Sequence, residues 1–164
     1  MANATLDLTE FKAAMARFPS GVTVVITRDP NGQSFGFTAS AFSSLSLQPP
    51  LILVCLDKSA ESHPAFRGAG MFTVSILEAG QLDTAMKFAT RGADKFAGVP
   101  LIDGAVSAMP MIEGAAVHLE CRTHEHLEGG DHTIIVGEVL TAASTDREPL
   151  VTYNRQFGRF SEAT

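Results

Sequence analysis

Apolar side chains in this chain recur mostly at every second position, interrupted by short stretches where they recur every three or four. The first stretch is helical. Asp7 stands as an N-cap three residues before Glu10, and Phe11, Met15 and Phe18 follow at helical spacing until Pro19-Ser20-Gly21 ends the helix. Positions 22–27 are mostly β-branched and predict a strand. Asp29-Pro30-Asn31-Gly32 predicts a tight turn, and Phe35, Phe37 and Ala39 alternate on the return. Gln48-Pro49-Pro50 opens the apolar run 51–56, whose unbroken hydrophobicity predicts a strand buried on both faces.

A short helix is predicted from Ser62, its cap, through Phe66, and a strand over 71–77. A second helix follows over 81–89, with Leu82, Ala85, Met86 and Ala89 on one side. Residues 91–100 mix glycine, charge and proline and predict an ordered loop with a helical turn at 94–96. Beyond 115 the pattern is plainly β. Val117, Leu119, Cys121 and Thr123 alternate with His118, Glu120, Arg122 and His124; Gly129-Gly130-Asp131 turns the chain, and 132–139 returns as an apolar strand. Many short strands with a few short helices among them predict a mainly β chain. The expected form is a closed or partly closed antiparallel barrel, not the strand–helix alternation of a parallel sheet.

Composition narrows this further. With 164 residues, 45% of them apolar, and no linker or repeat, the expectation is a single domain over 1–164 with a proper core. A net charge of −6 and no cluster of lysine or arginine argue against a nucleic-acid surface. The longest apolar run is far too short to cross a bilayer, and no secretory leader is visible, so a cytoplasmic location is expected. Cys55 and Cys121 sit in apolar strand-like segments and read as small buried hydrophobes.

Candidate chemistry begins with Thr38 to Ser44, four hydroxyls with one aromatic and little bulk. Alone it reads first as a Ser/Thr-rich turn joining two strands. The same residues suit a backbone pressed against a flat, phosphorylated ligand, which main-chain N–H groups and hydroxyls would hold. Neither a G-x-G-x-x-G after a strand nor a phosphate-binding G-x-x-x-x-G-K-[ST] loop is present. His118, His124 and His126 fall at even positions of one strand, but Glu120 and Arg122 share that face, which reads as wet and polar rather than metal-binding. His132 follows Gly129-Gly130-Asp131 at the entry to a strand, where backbone geometry aims its ring. Arg91 and Lys95 stand as phosphate partners or loop decoration, and Arg155 as a ligand clamp or a surface charge. No Gly-x-Ser-x-Gly elbow supports a hydrolytic triad, and no acid–base residue is nominated as catalytic.

Taken together and in order, several segments carry a family likeness. They are Phe18-Pro19-Ser20-Gly21-Val22-Thr23-Val24-Val25, Gly36-Phe37-Thr38-Ala39-Ser40-Ala41-Phe42, Leu47-Gln48-Pro49-Pro50-Leu51, Val74-Ser75-Ile76-Leu77, Phe88-Ala89, Asp94-Lys95-Phe96, Leu119-Glu120-Cys121 and Gly130-Asp131-His132-Thr133-Ile134. From about residue 11 to 157 the chain resembles the short-chain flavin reductases, the NAD(P)H:flavin oxidoreductase components of two-component monooxygenases. The resemblance implies a split β-barrel of Greek-key topology, a homodimer, and flavin bound near the subunit interface. By the same likeness Thr38, Ala39, Ser40, Ala41 and Phe42 line the flavin ring, with Ser44 and Leu45 close by. Ser59, Ala60, Glu61 and Ser62 lie near the ribityl phosphate, and Phe88, Ala89 and Arg91 close the site. His132 matches the histidine that contacts nicotinamide, with Arg155 a further candidate there. Ser40 departs from the family, which often has asparagine at that position.

The implied activity is hydride transfer from NADH or NADPH to free FMN or FAD, the reduced flavin then passing to a separate monooxygenase. Such a reaction asks the protein to stack and orient two rings rather than to supply a tuned acid and base. Two other readings stay open: a flavin-binding electron carrier without turnover, and a haem-binding or pyridoxamine-phosphate-oxidase-like relative of the barrel. The residues do not decide between FMN and FAD, or between NADH and NADPH.

Overall fold

The computed structural model describes residues 6–162. Asp7 caps α1 (Leu8–Met15), its carboxylate accepting the Thr9 N–H at 2.7 Å. The helix stops at Met15, short of the proline, so Phe18 falls outside it, and α1 buries none of its residues. β1 (Ser20–Gly21) and β2 (Thr23–Arg28) are separated at Val22, whose N–H goes to Leu150 instead. The Asp29 carboxylate accepts the N–H groups of Asn31 and Gln33 and closes the predicted turn, with Gly32 at φ +84°; β3 (Ser34–Ala39) returns beside β2.

There follow β4 (Phe42–Leu47), β5 (Pro50–Asp57), α2 (His63–Gly68), β6 (Met71–Ile76), α3 (Leu82–Ala89), β7 (Leu101–Asp103) and β8 (Pro110–Ile112). The long hairpin β9 (Val117–Gly129) and β10 (His132–Ser144) turns at Gly130, φ +72°, and β11 (Leu150–Tyr153) and β12 (Gln156–Arg159) complete the chain. Seven strands form one antiparallel sheet in the order β3-β2-β6-β9-β10-β5-β4; β1-β11-β12 and β7-β8 pair separately.

The edges of that sheet are joined by the shortest of links. β3 ends at Ala39 and β4, at the opposite edge, begins at Phe42, with only Ser40 and Ala41 between them. Laid flat, six inter-strand gaps would separate the edges by about 29 Å. Three Cα steps reach no more than about 11 Å. The sheet must therefore curl until its edges nearly meet, and they do not pair: a split barrel. Inside it, Phe66 and Phe72 pack with Val25, Val54, Val74 and Ile135, and Phe37 meets Phe66 edge-on at 5.0 Å. A second core lies outside, where α3 and Leu150 cover β2 through Val24, Ile26, Ala85 and Phe88.

Several expectations are corrected. Of the expected Ser/Thr turn only Ser40 and Ala41 lie outside strands: Thr38 and Ala39 end β3, and Phe42 to Ser44 begin β4, an exposed edge strand whose hydroxyl-rich sequence gives no apolar alternation to read. β5 is buried on one face only: Ile52, Val54 and Leu56 point inward, while Leu51, Leu53 and Cys55 are half-buried. α3 packs through Ala85 and Phe88, leaving Leu82 and Met86 exposed, because the cover it needs lies against Gly36 and Phe96. No helix forms at 94–96; the loop is held by turns, with the Asp94 carboxylate accepting the Ala97 N–H. The three histidines do not share a face. Glu125 pairs with Val136 and Thr123 with Gly137, so a bulge at His124 shifts the phase and puts His126 on the opposite side from His118. Nor is the His118 face wholly wet: Glu120 is buried there, accepting from the Val106 and Ser107 N–H groups and from the hydroxyls of Ser107 and Thr141.

Candidate functional site

The split itself forms the site. Where β3 and β5 fail to pair, below the Ser40-Ala41 crossing, a cavity of about 240 Å³ opens between Phe37 and Thr38 on one side and Cys55 to Asp57 on the other. α3 supplies its floor with Phe88 and Ala89. A Cβ on Gly36 would fall 2.7 Å from the Phe88 ring, so only glycine lets the helix lie this close to the strand. Ala60, Glu61, Arg91, Lys95 and His132 complete this seam cavity.

Its rim is wired by hydrogen bonds. The His132 Nδ1 lies 2.8 Å from Asp131, a contact that directs the other ring nitrogen away from the carboxylate. The Arg91 guanidinium donates to Ser59 Oγ at 2.6 Å, and that hydroxyl donates to the Asp57 carboxylate at 2.7 Å. The bonds from Ser59, then the charges of His132 and Arg91, hold the Asp57 carboxyl below the usual carboxylate range; the bond and charge of His132 do the same for Asp131. Glu61 accepts the Gly92 N–H and ties the Arg91 loop to the segment before α2. Lys95 donates to the Gly36 carbonyl on the free edge of β3 at 3.2 Å, and burial pulls its ammonium below the ordinary lysine value against the opposing charge of Glu61.

A second, larger cavity of about 570 Å³ lies on the other side of the crossing, between the end of α1, the start of β4 and β11. Ser40, Ala41, Phe42 and Arg155 line it with Met15 and Phe18, and Cys55 borders both cavities. The sixteen residues nominated from the sequence thus divide. Thr38, Ala60, Glu61, Phe88, Ala89, Arg91 and His132 converge on the seam, whereas Ser40, Ala41, Phe42 and Arg155 face the helix-side cavity. His132 and Arg155 do not meet in one cavity. Ser62 lines a further cavity, of about 260 Å³, that adjoins the seam at Glu61, and its buried hydroxyl has no partner among the described residues, so it does not cap α2 through its side chain as expected.

The remaining nominees stand back from the cavities. Ala39 is buried in the barrel core, Ser44 and Leu45 are exposed on the edge strand, and Ser59 acts on the rim through Arg91. The Thr38 hydroxyl is spent on the Ala85 carbonyl at 2.5 Å, so Thr38 offers the site its backbone and its methyl group. Sequence reasoning passed over Cys55, Asp57 and Asp131. The first reads as core; the other two show their role only through pairing, since β10 sets His132 opposite Asp57.

A hydrogen-bonded cationic rim over a slot with two aromatic and several small walls can hold a planar anionic ligand beside a histidine. Comparison with known proteins gives that geometry a family. Residues 15–161 match the flavin reductase like domain, and the chain belongs to that family. It is 43% identical over 151 residues to the actinorhodin polyketide dimerase of Streptomyces coelicolor, covering 92% of this chain and 85% of that one. It is 41% identical over 153 residues to the FMN reductase (NADH) SmoA of Agrobacterium fabrum, with 92% and 85% covered. Among solved structures, the NADH:FAD oxidoreductase SgcE6 of Streptomyces globisporus, in complex with NAD and FAD fragments, superposes with a TM-score of 0.89 at 41% identity, covering 96% of this chain and 98% of that one.

Proposed function

We propose that residues 1–164 act as one flavin reductase domain that uses NADH or NADPH to reduce free FMN or FAD and supplies a flavin-dependent monooxygenase by transient encounter. The observation that carries this reading is the seam itself, where Thr38, Ala60, Phe88 and Arg91 surround one cavity with His132 at its rim. The donor set suits a flavin: cationic Arg91 and Lys95 for its phosphate, and the unpartnered Ser62 hydroxyl nearby. Bound flavin supplies the two-electron acceptor, and the nicotinamide supplies the hydride. The chain's own part is positioning. Small side chains at Ala60 and Ala89 leave room for a flat ring in the seam, Phe88 lies at its floor, and His132, braced by Asp131, hydrogen-bonds the nicotinamide. No residue is assigned as acid or base.

The helix-side cavity supports a homodimer. Phe11, Met15 and Phe18 stay exposed beside it, Phe18 at 77%, and a second copy of the chain laid over them would cover both the apolar face and the cavity. Among the described residues no helix is long and apolar enough to cross a membrane, and a cytoplasmic location accords with the acidic composition. Replacing His132 by alanine should raise the KM for nicotinamide with little change in that for flavin; an unchanged KM removes His132 from the site. With excess free flavin the enzyme should oxidise many equivalents of nicotinamide, whereas an electron carrier stops at one.

A further inference from the structure

We propose that the ligand trough continues beyond the seam cavity and that its far end receives the adenine of FAD, so that this protein takes FAD in preference to FMN. The inference rests on the flavin reductase reading above and deepens it. The seam cavity abuts the Ser62 cavity, about 260 Å³, through the shared walls of Glu61 and Lys95. That cavity in turn shares Phe35 and Glu61 with a third, about 270 Å³, a slot bounded by Pro30, Phe35, Pro64 and Ala65 with Asp29 and Glu61 at its edges. Each is smaller than the roughly 300–1,000 Å³ of an ordinary ligand site; chained, they reach that size.

Charge orders the three. The seam holds Arg91 and His132. At the waist, Lys95 presents an ammonium whose one hydrogen bond among the described residues is to the Gly36 carbonyl, beside the orphaned Ser62 hydroxyl. The outer slot has two carboxylates and no cation in its walls, which would repel a phosphate. Phe35 and two prolines offer flat apolar surface instead, suited to a neutral aromatic ring. An exocyclic amine on that ring finds acceptors at the slot's edge. Asp29 and Glu61 already accept backbone N–H groups from Asn31, Gln33 and Gly92, but a carboxylate offers about four lone-pair sites, so capacity remains. Cation at the waist and carboxylates with an aromatic beyond it match a diphosphate followed by adenine. FMN would end at the waist and leave the slot unused.

NADH carries the same adenosine diphosphate group, so the test must separate the two sources. Isothermal titration without nicotinamide should show FAD binding more tightly than FMN. Phe35→Ala, which removes the stacking face, and Ala65→Gln, which fills the slot from α2, should each weaken FAD roughly five- to ten-fold and leave FMN unmoved. Ala65→Gln leaves β3 untouched, so the test stands even where Phe35→Ala unfolds the strand. With FMN as acceptor, the KM for NADH should be the same in wild type and variants. Equal wild-type affinities, variants that weaken both flavins alike, or a raised KM for NADH with FMN would each overturn the proposal. Continued turnover of FMN in those cases would leave the reductase reading intact; no turnover of either flavin would end that reading as well.

Discussion

The two cavities that flank the Ser40-Ala41 crossing are built differently. The seam cavity is enclosed by one chain's own hydrogen bonds, Arg91 to Ser59 to Asp57 on one side and His132 to Asp131 on the other, over a fully buried Phe88. The helix-side cavity is more than twice as large and mostly apolar, with Met15 and Phe18 exposed at its mouth. Polar groups fix directions, whereas apolar surface has none and only asks to be covered. One cavity is thus finished within a single fold, and the other is an open face.

That contrast can be broken most forcefully at its floor. Phe88 is fully buried and meets Phe96 edge-on at 5.2 Å, so Phe88→Ala should cost about 3–5 kcal/mol and abolish flavin binding, read as a lower urea midpoint and a flat titration. Glu120 provides a control remote from both cavities. Burial opposes its charge, but the hydrogen bonds from Ser107, Val106 and Thr141 outweigh that and hold its carboxyl below the usual range. Glu120→Gln should cost about 1–3 kcal/mol without changing either KM. Because the folded-state pKa is lowered, the stabilisation is full above the ordinary glutamate range and is lost as pH falls through that range to the lowered value. The gap between wild type and variant should therefore close in acid, and a gap that widened there would contradict the clasp.

Finer changes sharpen the comparison at each cavity. Asp131→Asn keeps the shape of the His132 brace but removes its charge, and should raise the KM for nicotinamide roughly two- to five-fold with the unfolding midpoint unmoved. Phe18→Ser should change the stability of the isolated chain by less than about 0.5 kcal/mol, since the side chain is exposed. Sedimentation should nonetheless register a weaker dimer; an unshifted monomer–dimer equilibrium would place the partner surface elsewhere.

Much of this was legible in the residues. The Asp29 turn, the Gly130 hairpin, β6 and the start of α1 followed from local rules that act over a few positions, and the ordered segments from Phe18 to Ile134 carried the family. Other features were not. β4 is a strand because β5 lies beside it, not because of its own hydroxyl-rich pattern. The bulge at His124 is invisible to alternation and moved His126 to the other face.

The chain alone therefore settled what depends on near neighbours: strand and turn chemistry and the mainly β class. Three-dimensional pairing decided what depends on distant ones. It turned a two-residue link between opposite edges into a split, drew Thr38, Phe88 with Arg91, and His132 from three separate segments to that split, and sent Ser40 and Arg155 to its other side. The reason is physical: a side chain's local preference extends a few residues along the backbone, while a cavity exists only where strands far apart in sequence come close and fail to bond.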